Sequence, residues 1–217
     1  MAGITTAMCA SFKRDILFGR HHFGQSRTFT ATGTSSQTWT AVSSLAGLAV
    51  GAFLSGTNVA AGTRIADILS STSIFVSKVS TGALGTVTAV GDAYKIALFK
   101  VGVAGTYGAA TTSYADMTGN TDETSGTGYV AGGTALTNVD PVASSPSAFT
   151  TFSPNPSWTS ASFSTTGCMI VNTTQNGDTA NPAASVHDFG GTQTVTSGTF
   201  TAVMPVAAVG TAVLQIT

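Results

Sequence analysis

The chain carries very little charge. Charged residues make up only 8% of its 217 residues, and the single glutamate is Glu123. A globular protein typically has about a quarter of its residues charged. The formal net charge of -1 leaves no broad field to hold nucleic acid or an anionic membrane, so we expect neither as a partner. The scarcity also argues against a helical enzyme, whose solvated helix faces are rich in Lys and Glu.

Long apolar runs are missing as well. The longest, GLAVGAFL at residues 47–54, is far shorter than the roughly 20 residues that a membrane-spanning helix needs. Lys13, Arg14 and Asp15 interrupt the apolar pattern near the N-terminus, which is wrong for a signal peptide. We therefore expect no membrane partner.

Cysteine is almost absent. Cys9 and Cys168 are the only two, and they lie far apart without metal-type spacing. We expect two buried free thiols. A disulfide between them is the alternative, although two cysteines make a weak framework.

Histidine is scarce, and its three positions suggest no catalytic group. His21 and His22 fall in a loop, where a solvated or subunit-contacting pair is expected and metal binding is the alternative. His187 and Asp188 are neighbours in a strand-like run and would face opposite sides of a sheet. Neither a G-x-S-x-G nor an H-E-x-x-H motif occurs. The sequence therefore predicts no catalytic residue and no cofactor.

The acidic residues cluster at one place only. Asp116, Asp122 and Glu123 lie in one polar stretch, which predicts a solvated acidic loop. A site for a hard cation such as Ca²⁺ is the alternative, but we expect no metal ligand here. A glycan depolymerase, the enzyme alternative, would need paired carboxylates in a groove. No such pair is recognisable, so we do not expect an enzyme.

The abundant residues are Ser, Thr, Gly and Ala, yet the N-terminus has a helical pattern. Residues 3–19, GITTAMCASFKRDILFG, predict the only convincing helix. Thr5 or Thr6 can cap its start, and Gly19 follows its last turn. Its apolar stripe, repeating every fourth residue, consists of Ile4, Met8, Phe12 and Ile16.

After this helix the pattern changes to short alternating runs between Gly, Ser and Asn breaks, such as QTWTAV, SIFVSKV and AYKIALF. Strands of this length and spacing are typical of a sandwich or barrel. The sequence predicts a mainly β fold, an antiparallel β-sandwich with one N-terminal helix and an inserted small β subdomain. Residues 1–27 and 92–217 form the main domain in this interpretation, and residues 28–91 form the insertion.

The glycine-rich stretch at residues 123–133 invites comparison with a phosphate-binding loop. Gly126 and Gly128 have the G-x-G spacing, but three residues rather than two separate Gly128 from Gly132, and no helical pattern follows. GYVAGGTALTNV is better explained as strand, Gly-Gly hairpin turn and strand. We expect a turn and no phosphate site.

Several side chains remain candidates for packing or for partner contacts. Trp158 and Phe163 fall in an alternating run, so one of them should pack in the core or between sheets. The helix stripe is too apolar to face water and must pack on the β body or on a neighbouring subunit. The flanking arginines are expected on a solvated face, with an acidic partner as the alternative. The partner-contact candidates are Met8, Phe12, Arg14, Ile16 and Arg20.

A series of motifs extends through the chain outside residues 28–91. They are MAGITTAMCASFK at residues 1–13, KIAL at 95–98, TTSY at 111–114, ETSGTGYVAGG at 123–133, WTSASF at 158–163, and DFGG with a following TVTSGTF at 188–200. This order resembles a family of small phage virion proteins. Within the insertion, Gly51, Gly56, Gly62, Thr63 and Ile65 resemble a small β element of phage fibre and surface proteins, although an ordinary β-meander is an equal alternative.

The resemblance implies a structural protein of a bacteriophage particle without an active site. We expect a capsid decoration (cement) protein on the outer surface of the virion, where its partner would be the major capsid protein. The alternative is a tail or fibre-associated protein that contacts tail proteins or the host surface. Under both interpretations the chain is expected to be made in the host cytoplasm. In either case a homo-oligomer is expected in the virion.

Overall fold

The structure is a computed structural model and describes residues 2–174 and 179–216. Most of its regular structure is in strands, and the predicted mainly β, sandwich-like fold of antiparallel sheets is confirmed. The elements in chain order are β1 (Gly3–Ile4), β2 (Ala7–Met8), α1 (Ala10–Leu17), β3 (Arg27–Thr30), β4 (Thr38–Trp39), β5 (Phe53–Gly56), β6 (Ile65–Ser70), β7 (Ser73–Val76), β8 (Thr86–Val90), β9 (Tyr94–Phe99), β10 (Thr106–Tyr107), α2 (Tyr114–Gly119), β11 (Thr134–Leu136), β12 (Val142–Ser144), β13 (Ser147–Thr150), β14 (Ser157–Asn172), β15 (Ala183–Thr201) and β16 (Leu214–Ile216).

The chain divides into two compact units. Unit 1 consists of Met1–His21 and Asp92–Thr217, and unit 2 consists of His22–Gly91. The sequence placed the first boundary at residue 28, six residues later. Unit 2 begins earlier because the Ser26 hydroxyl accepts a hydrogen bond from the Gly91 N–H at 3.2 Å, which joins the two ends of the unit ahead of β3.

The largest sheet of unit 1 has the strand order β11-β9-β14-β15-β2, and all its neighbours are antiparallel. β14 is its central strand and pairs with β9 along residues 167–172. Residues 168–172 of β14 and 96–99 of β9 are buried one after another. A strand that is buried on successive residues is covered on both faces, so the core of unit 1 surrounds this part of the sheet.

Two smaller sheets complete unit 1. β12, β13 and β16 form an antiparallel sheet in which β16 is an outer strand. β1 and β10 form a parallel pair, with Gly3 opposite Thr106. Residues 3–4 and 214–216 are therefore both held in sheets of unit 1.

Unit 2 is built from strands alone, in two antiparallel three-stranded sheets with the orders β3-β8-β5 and β4-β7-β6. Buried residues alternate with more exposed ones along β7 and β8. Strands with this alternation turn one face to a core and the other to solvent. The buried core comprises Phe29, Ala31, Trp39, Val42, Ala52, Leu54, Ile65, Ile74, Val76, Val87 and Ala89.

The N-terminal helix is shorter than predicted. α1 begins at Ala10, with Cys9 as its N-cap residue, so the predicted caps Thr5 and Thr6 lie outside it. Ile4 and Met8 lie in β1 and β2, because this segment pairs with β10 and β15. Strand pairing thus overrides the fourfold apolar spacing, and only the second half of the stripe is helical.

A second helix, α2, was not predicted. Ser113 and Asp116 form a capping box at its start, in which each side chain binds the backbone of the other residue. This S-x-x-D spacing is a known signature of a helix N-terminus. Because the helix has only six residues, its apolar periodicity was too short to recognise.

The glycine-rich stretch forms a turn, but the predicted hairpin is wrong. A strand follows the turn as β11, whereas residues 129–130 are not in a strand, and β11 pairs with β9 instead. The reason is close packing. A Cβ atom on Gly128 would lie 2.9 Å from Ala161 Cα, and one on Gly133 would lie 2.6 Å from the Ile96 carbonyl oxygen. The glycines let this segment lie directly against β14 and β9.

Candidate functional site

The predicted partner-contact residues cluster around α1, but they differ in accessibility. Phe12 is completely buried in unit 1, and its ring centroid lies 4.2 Å from that of His21. Phe12 is therefore part of the protein's own core and does not reach a partner in this fold. Met8 and Ile16 are half-buried, so each keeps an accessible apolar surface.

The two arginines are held by a buried carboxylate that sequence reasoning did not consider. Asp15 is only 3% exposed, and its Oδ1 atom accepts hydrogen bonds from Arg14 Nε at 3.0 Å and Arg20 Nη1 at 3.2 Å. A carboxylate that leaves water needs such charged donors. Arg14 and Arg20 keep about half and about a third of their side-chain surface exposed, so the ion pairs orient both guanidinium groups at the surface.

The C-terminal end of α1 places two large apolar side chains in solvent. Leu17 is 88% exposed and Phe18 is 65% exposed. Gly19 follows with φ +66°, the left-handed conformation that ends helices, so its predicted role as the helix stop is confirmed. The Arg20 guanidinium lies 4.9 Å from the centroid of the Phe18 ring and restrains it from one side.

A groove beside α1 continues this apolar surface. It has a volume of about 480 Å³, and strand β2, helix α1 and strand β16 all contribute to its walls. β2 and β16 are each the outer strand of their sheet. We call this feature the helix groove. It is lined by Met8, Lys13, Ile16, Leu17, Gln215 and Ile216.

His21 lies inside unit 1 rather than in a solvated pair. Its side chain is fully buried, and Nδ1 lies 2.8 Å from Asn172 Nδ2, which also donates to Asp92 Oδ2 at 2.6 Å. Burial lowers the pKa of His21 to about 4, with Arg20 acting in the same direction and Asp15 against it. The ring is therefore neutral at pH 7. The expectation of a solvated or subunit-contacting pair is wrong for His21. Its partner Asn172 lies 151 positions further along the chain, so no local pattern could indicate this buried contact.

Asp122 is also buried, so the prediction of a solvated acidic loop is wrong for it. Its carboxylate accepts hydrogen bonds from Tyr107 Oη at 2.6 Å and from the N–H groups of Ala104 and Gly105, and Lys100 Nζ lies 3.0 Å away. Burial by itself would raise the pKa of Asp122, but these donors outweigh it and lower the pKa to about 2. The carboxylate is a structural anchor for residues 100–107.

Glu123 anchors a second segment. It accepts hydrogen bonds from the Tyr114 hydroxyl, from the Tyr129 hydroxyl at 2.7 Å and from the Gly132 N–H at 2.9 Å. Asp116 caps α2. The three clustered acids thus serve three separate structural purposes, and the described residues contain no group of three or more His, Cys, Asp and Glu side chains that could hold a metal ion.

A cavity of about 430 Å³ lies against β14 and β15 and is lined in part by Cys168, His187, Phe189 and Phe200. Burial raises the pKa of the Cys168 thiol to about 12 and lowers that of His187. His187 Nε2 lies 2.9 Å from the Ser185 hydroxyl. The Cys168 thiol is therefore protonated at pH 7, and a protonated thiol is a poor nucleophile. Cys168 and His187 thus do not form an activated dyad. Cys9 and Cys168 are both buried and free, as predicted.

The aromatic run of β14 packs in the protein's own interior. Trp158 and Phe163 are 4% and 6% exposed, and Phe200 of β15 lies against both. The sequence predicted that one of Trp158 and Phe163 is a packing residue, and both are. Tyr129 joins this cluster from the glycine-rich stretch, with its ring 6.1 Å from Trp158.

Comparisons with protein-family models, with curated proteins and with solved structures find no significant match for this chain. Within residues 2–174 and 179–216, no helix is long and apolar enough to cross a membrane. The candidate functional site therefore rests on geometry alone. It consists of the exposed end of α1 and the helix groove.

Proposed function

We propose that this chain is a structural protein of a bacteriophage particle, and that it decorates the outer surface of the capsid by binding the major capsid protein. The resemblance of its motif order to small phage virion proteins supports the proposal. So does its charge-poor surface, because such a surface associates through apolar area and backbone hydrogen bonds. The proposal assigns no catalytic step and no cofactor to the chain.

The observation that carries the proposal is the exposure of Leu17 and Phe18 at the end of α1. Aromatic side chains such as that of Phe18, and arginines such as the adjacent Arg20, are enriched at protein interfaces. The positive groups of Lys13 and Arg14 lie on the same helix and favour a partner surface that is apolar with acidic residues at its rim. A capsid repeats this contact many times, so a modest affinity at each site is sufficient.

Binding to purified heads tests the assignment. Phe18→Ser removes an exposed ring and should leave the melting temperature almost unchanged, while reducing co-sedimentation with heads at least tenfold, a loss that corresponds to about 1.4 kcal/mol. Val130→Ser, at a comparably exposed position outside the α1 surface, is the matched control and should bind normally. Equal binding by both variants would contradict the assignment of the α1 surface as the lattice contact.

A tail or fibre-associated role is the second candidate, and one feature of unit 2 favours it. The β6–β7 hairpin leaves Ile68, Leu69 and Phe75 between 36% and 50% exposed. An apolar hairpin on a separate unit could contact a tail protein or the host surface. Binding of the intact chain to purified tails and not to heads would replace the decoration proposal with this one.

A further inference from the structure

The cavity against β14 and β15 brings together three side chains of the kinds that soft metal ions prefer as ligands. Cys168, His187 and Met204 all line it, and they supply a thiol, an imidazole and a thioether. Thiolate and thioether sulfurs select Cu(I) and related soft ions, whereas carboxylates and waters suit Ca²⁺ or Mg²⁺. The cavity is separate from the surface of α1 to which we assign the capsid contact.

Strand pairing places the first two of these side chains next to each other. Cys168 and His187 are directly opposite in the antiparallel ladder of β14 and β15, and the register is regular from Gly167 to Ile170. Residues that are directly opposite on antiparallel strands project from the same face of the sheet, with Cβ atoms about 4.5–5.5 Å apart. One ion between the two side chains can therefore contact both of them.

The third side chain comes from the segment after β15, whose backbone is fixed in unit 1. The Met204 N–H donates to Asn155 Oδ1 at 2.9 Å, and the Thr151 hydroxyl donates to the Pro205 carbonyl oxygen at 2.6 Å. Met204 is half-buried, and its three rotatable side-chain bonds let the thioether adjust to an ion in the cavity. Val203, which also lines the cavity, is 76% exposed, so an ion can enter there from solvent.

Ser185 is placed to orient the imidazole. Its hydroxyl lies 2.9 Å from His187 Nε2, and Ser185 is only 1% exposed, so water does not compete for this contact. When the hydroxyl accepts the Nε2–H, the lone pair of the ring lies on Nδ1. Metal-binding histidines are commonly held by such a hydrogen bond from the nitrogen that does not bind the metal.

The charge balance of the cavity favours a monovalent ion. The described residues that line it include no Lys, Arg, Asp or Glu, and burial keeps His187 neutral at pH 7 by lowering its pKa. A Cys168 thiolate and a monovalent cation together form a neutral unit. A divalent cation would leave one positive charge uncompensated in a largely apolar cavity, which is costly.

We propose that this cavity binds one soft monovalent ion of the Cu(I) or Ag(I) class, with Cys168 Sγ, His187 Nδ1 and Met204 Sδ as its ligands. The ion replaces the proton of the Cys168 thiol, which is released to solvent, and no electron is transferred. All three ligands belong to unit 1. Occupancy of the site does not depend on whether the chain binds capsids.

Anaerobic titration of the full chain with Cu(I), in competition with the chelator bicinchoninate, measures affinity and stoichiometry. The wild-type chain should bind one equivalent at pH 7 and release one proton for each ion bound. Cys168→Ser should abolish this binding. Cys9→Ser is the matched control, because Cys9 is also buried and free but does not line the cavity, and its thiol donates to the Gly108 carbonyl oxygen. This control should bind as the wild-type chain does.

Met204→Leu separates a three-ligand site from a single reactive thiol. It should leave the melting temperature unchanged and raise the Kd for Cu(I) at least about tenfold, and His187→Gln should weaken binding similarly. Met8→Leu, at another half-buried methionine, is the control and should bind normally. The methionine pair decides the question even where Cys168→Ser does not fold.

Three results would overturn the proposal. The first is the absence of stoichiometric Cu(I) binding by the wild-type chain. The second is an equal affinity of the Met204→Leu and Met8→Leu chains, which would mean that a thiol alone binds the ion. The third is Zn²⁺ binding as tight as that of Cu(I), which would contradict the charge argument.

Discussion

The two units of this protein are stabilised by different kinds of interior. Unit 1 buries the carboxylates of Asp15, Asp92 and Asp122. Asp15 is bound by the nearby Arg14 and Arg20, whereas Asp92 and Asp122 are bound by donors from other segments of the chain. The buried polar residues of unit 2 are Thr63 and Ser80, and its core is otherwise an apolar cluster around Trp39. Unit 1 therefore uses charge to hold irregular loops on a sheet, whereas unit 2 relies on alternating strands. We expect the two units to respond differently to mutation and to acid.

The chain offers a separate reporter for each unit. Its two tryptophans are Trp39 in unit 2 and Trp158 in unit 1, and both are buried. A Trp39→Phe background leaves fluorescence that reports only on unit 1, and a Trp158→Phe background reports only on unit 2. Unfolding by urea in these two backgrounds measures each free energy of unfolding within the full chain.

The largest difference should come from the buried carboxylate at position 122. Asp122→Asn places an NH₂ group against donors from Tyr107, Ala104 and Gly105, and the loss should be about 4 kcal/mol in unit 1. Asp67→Asn, at an exposed carboxylate of unit 2, should change the stability of that unit by less than about 0.5 kcal/mol. Losses of similar size in both variants would mean that the contrast between the interiors is wrong.

The next largest difference should appear at acidic pH, which should destabilise unit 1 more than unit 2. The pKa of His21 is lowered from 6.5 to about 4, so the unfolded chain binds a proton at this residue before folded unit 1 does. The stabilisation is complete above pH 6.5 and is lost as the pH falls toward 4, by about 3 kcal/mol. Asp122 causes a further loss of stability below pH 3.8. Its lowered pKa keeps it charged in folded unit 1, whereas the unfolded chain binds a proton at this residue.

Urea unfolding at pH 7 and pH 4.5 in the two tryptophan backgrounds measures this effect. Unit 2 should change little, and His21→Gln should reduce the pH dependence of unit 1, with the part that remains arising from His187, whose pKa burial also lowers. A stability of unit 1 that is constant between these pH values would contradict the assignment of a neutral, buried His21.

A glycine pair tests how tightly the loops of unit 1 lie on its sheet. Gly133→Ala adds a methyl group 2.6 Å from the Ile96 carbonyl oxygen at a φ of +74°, and should cost about 3 kcal/mol. Its neighbour Gly132 also has a positive φ, but a Cβ there meets no atom within 4 Å. Gly132→Ala should therefore cost only about 1 kcal/mol of backbone strain. Equal losses in thermal unfolding would show that packing against β9 contributes nothing.

Removal of unit 2 should have the smallest effect on the stability of unit 1. A chain in which a short Gly-Ser linker replaces residues 22–91 should keep the free energy of unfolding of unit 1 within about 1 kcal/mol, because unit 2 has its own core. Urea unfolding followed by Trp158 fluorescence measures it. A truncated chain that only aggregates would mean that the two units share part of their stability.

The parts of this fold that were predictable from the sequence are those that depend on local pattern. Alternating runs predicted strands, Gly19 predicted the end of α1, and isolated cysteines predicted free thiols. The errors come from contacts between distant residues. Ile4 and Met8 have helical spacing, but pairing with β10 and β15 places them in strands. No local signal identifies Asn172 as the partner of His21.

The candidate site was predictable only in part, for the same reason. The sequence singled out α1 and its arginines, but it could not show that Phe12 faces the core while Leu17 faces solvent. That distinction depends on which side of an eight-residue helix meets the sheet. The contribution of β16 to the helix groove was also not foreseeable, because residues 214–216 reach it from the other end of the chain.

The proposal that this chain decorates phage capsids is tested most directly by its abundance in purified particles. Quantitative mass spectrometry of particles separated into heads and tails measures the ratio of this chain to the major capsid protein. The account predicts that the chain is found with the heads, in a fixed ratio to the capsid protein and at comparable copy number. A few copies confined to the tail fraction, or absence from the particles, would contradict it.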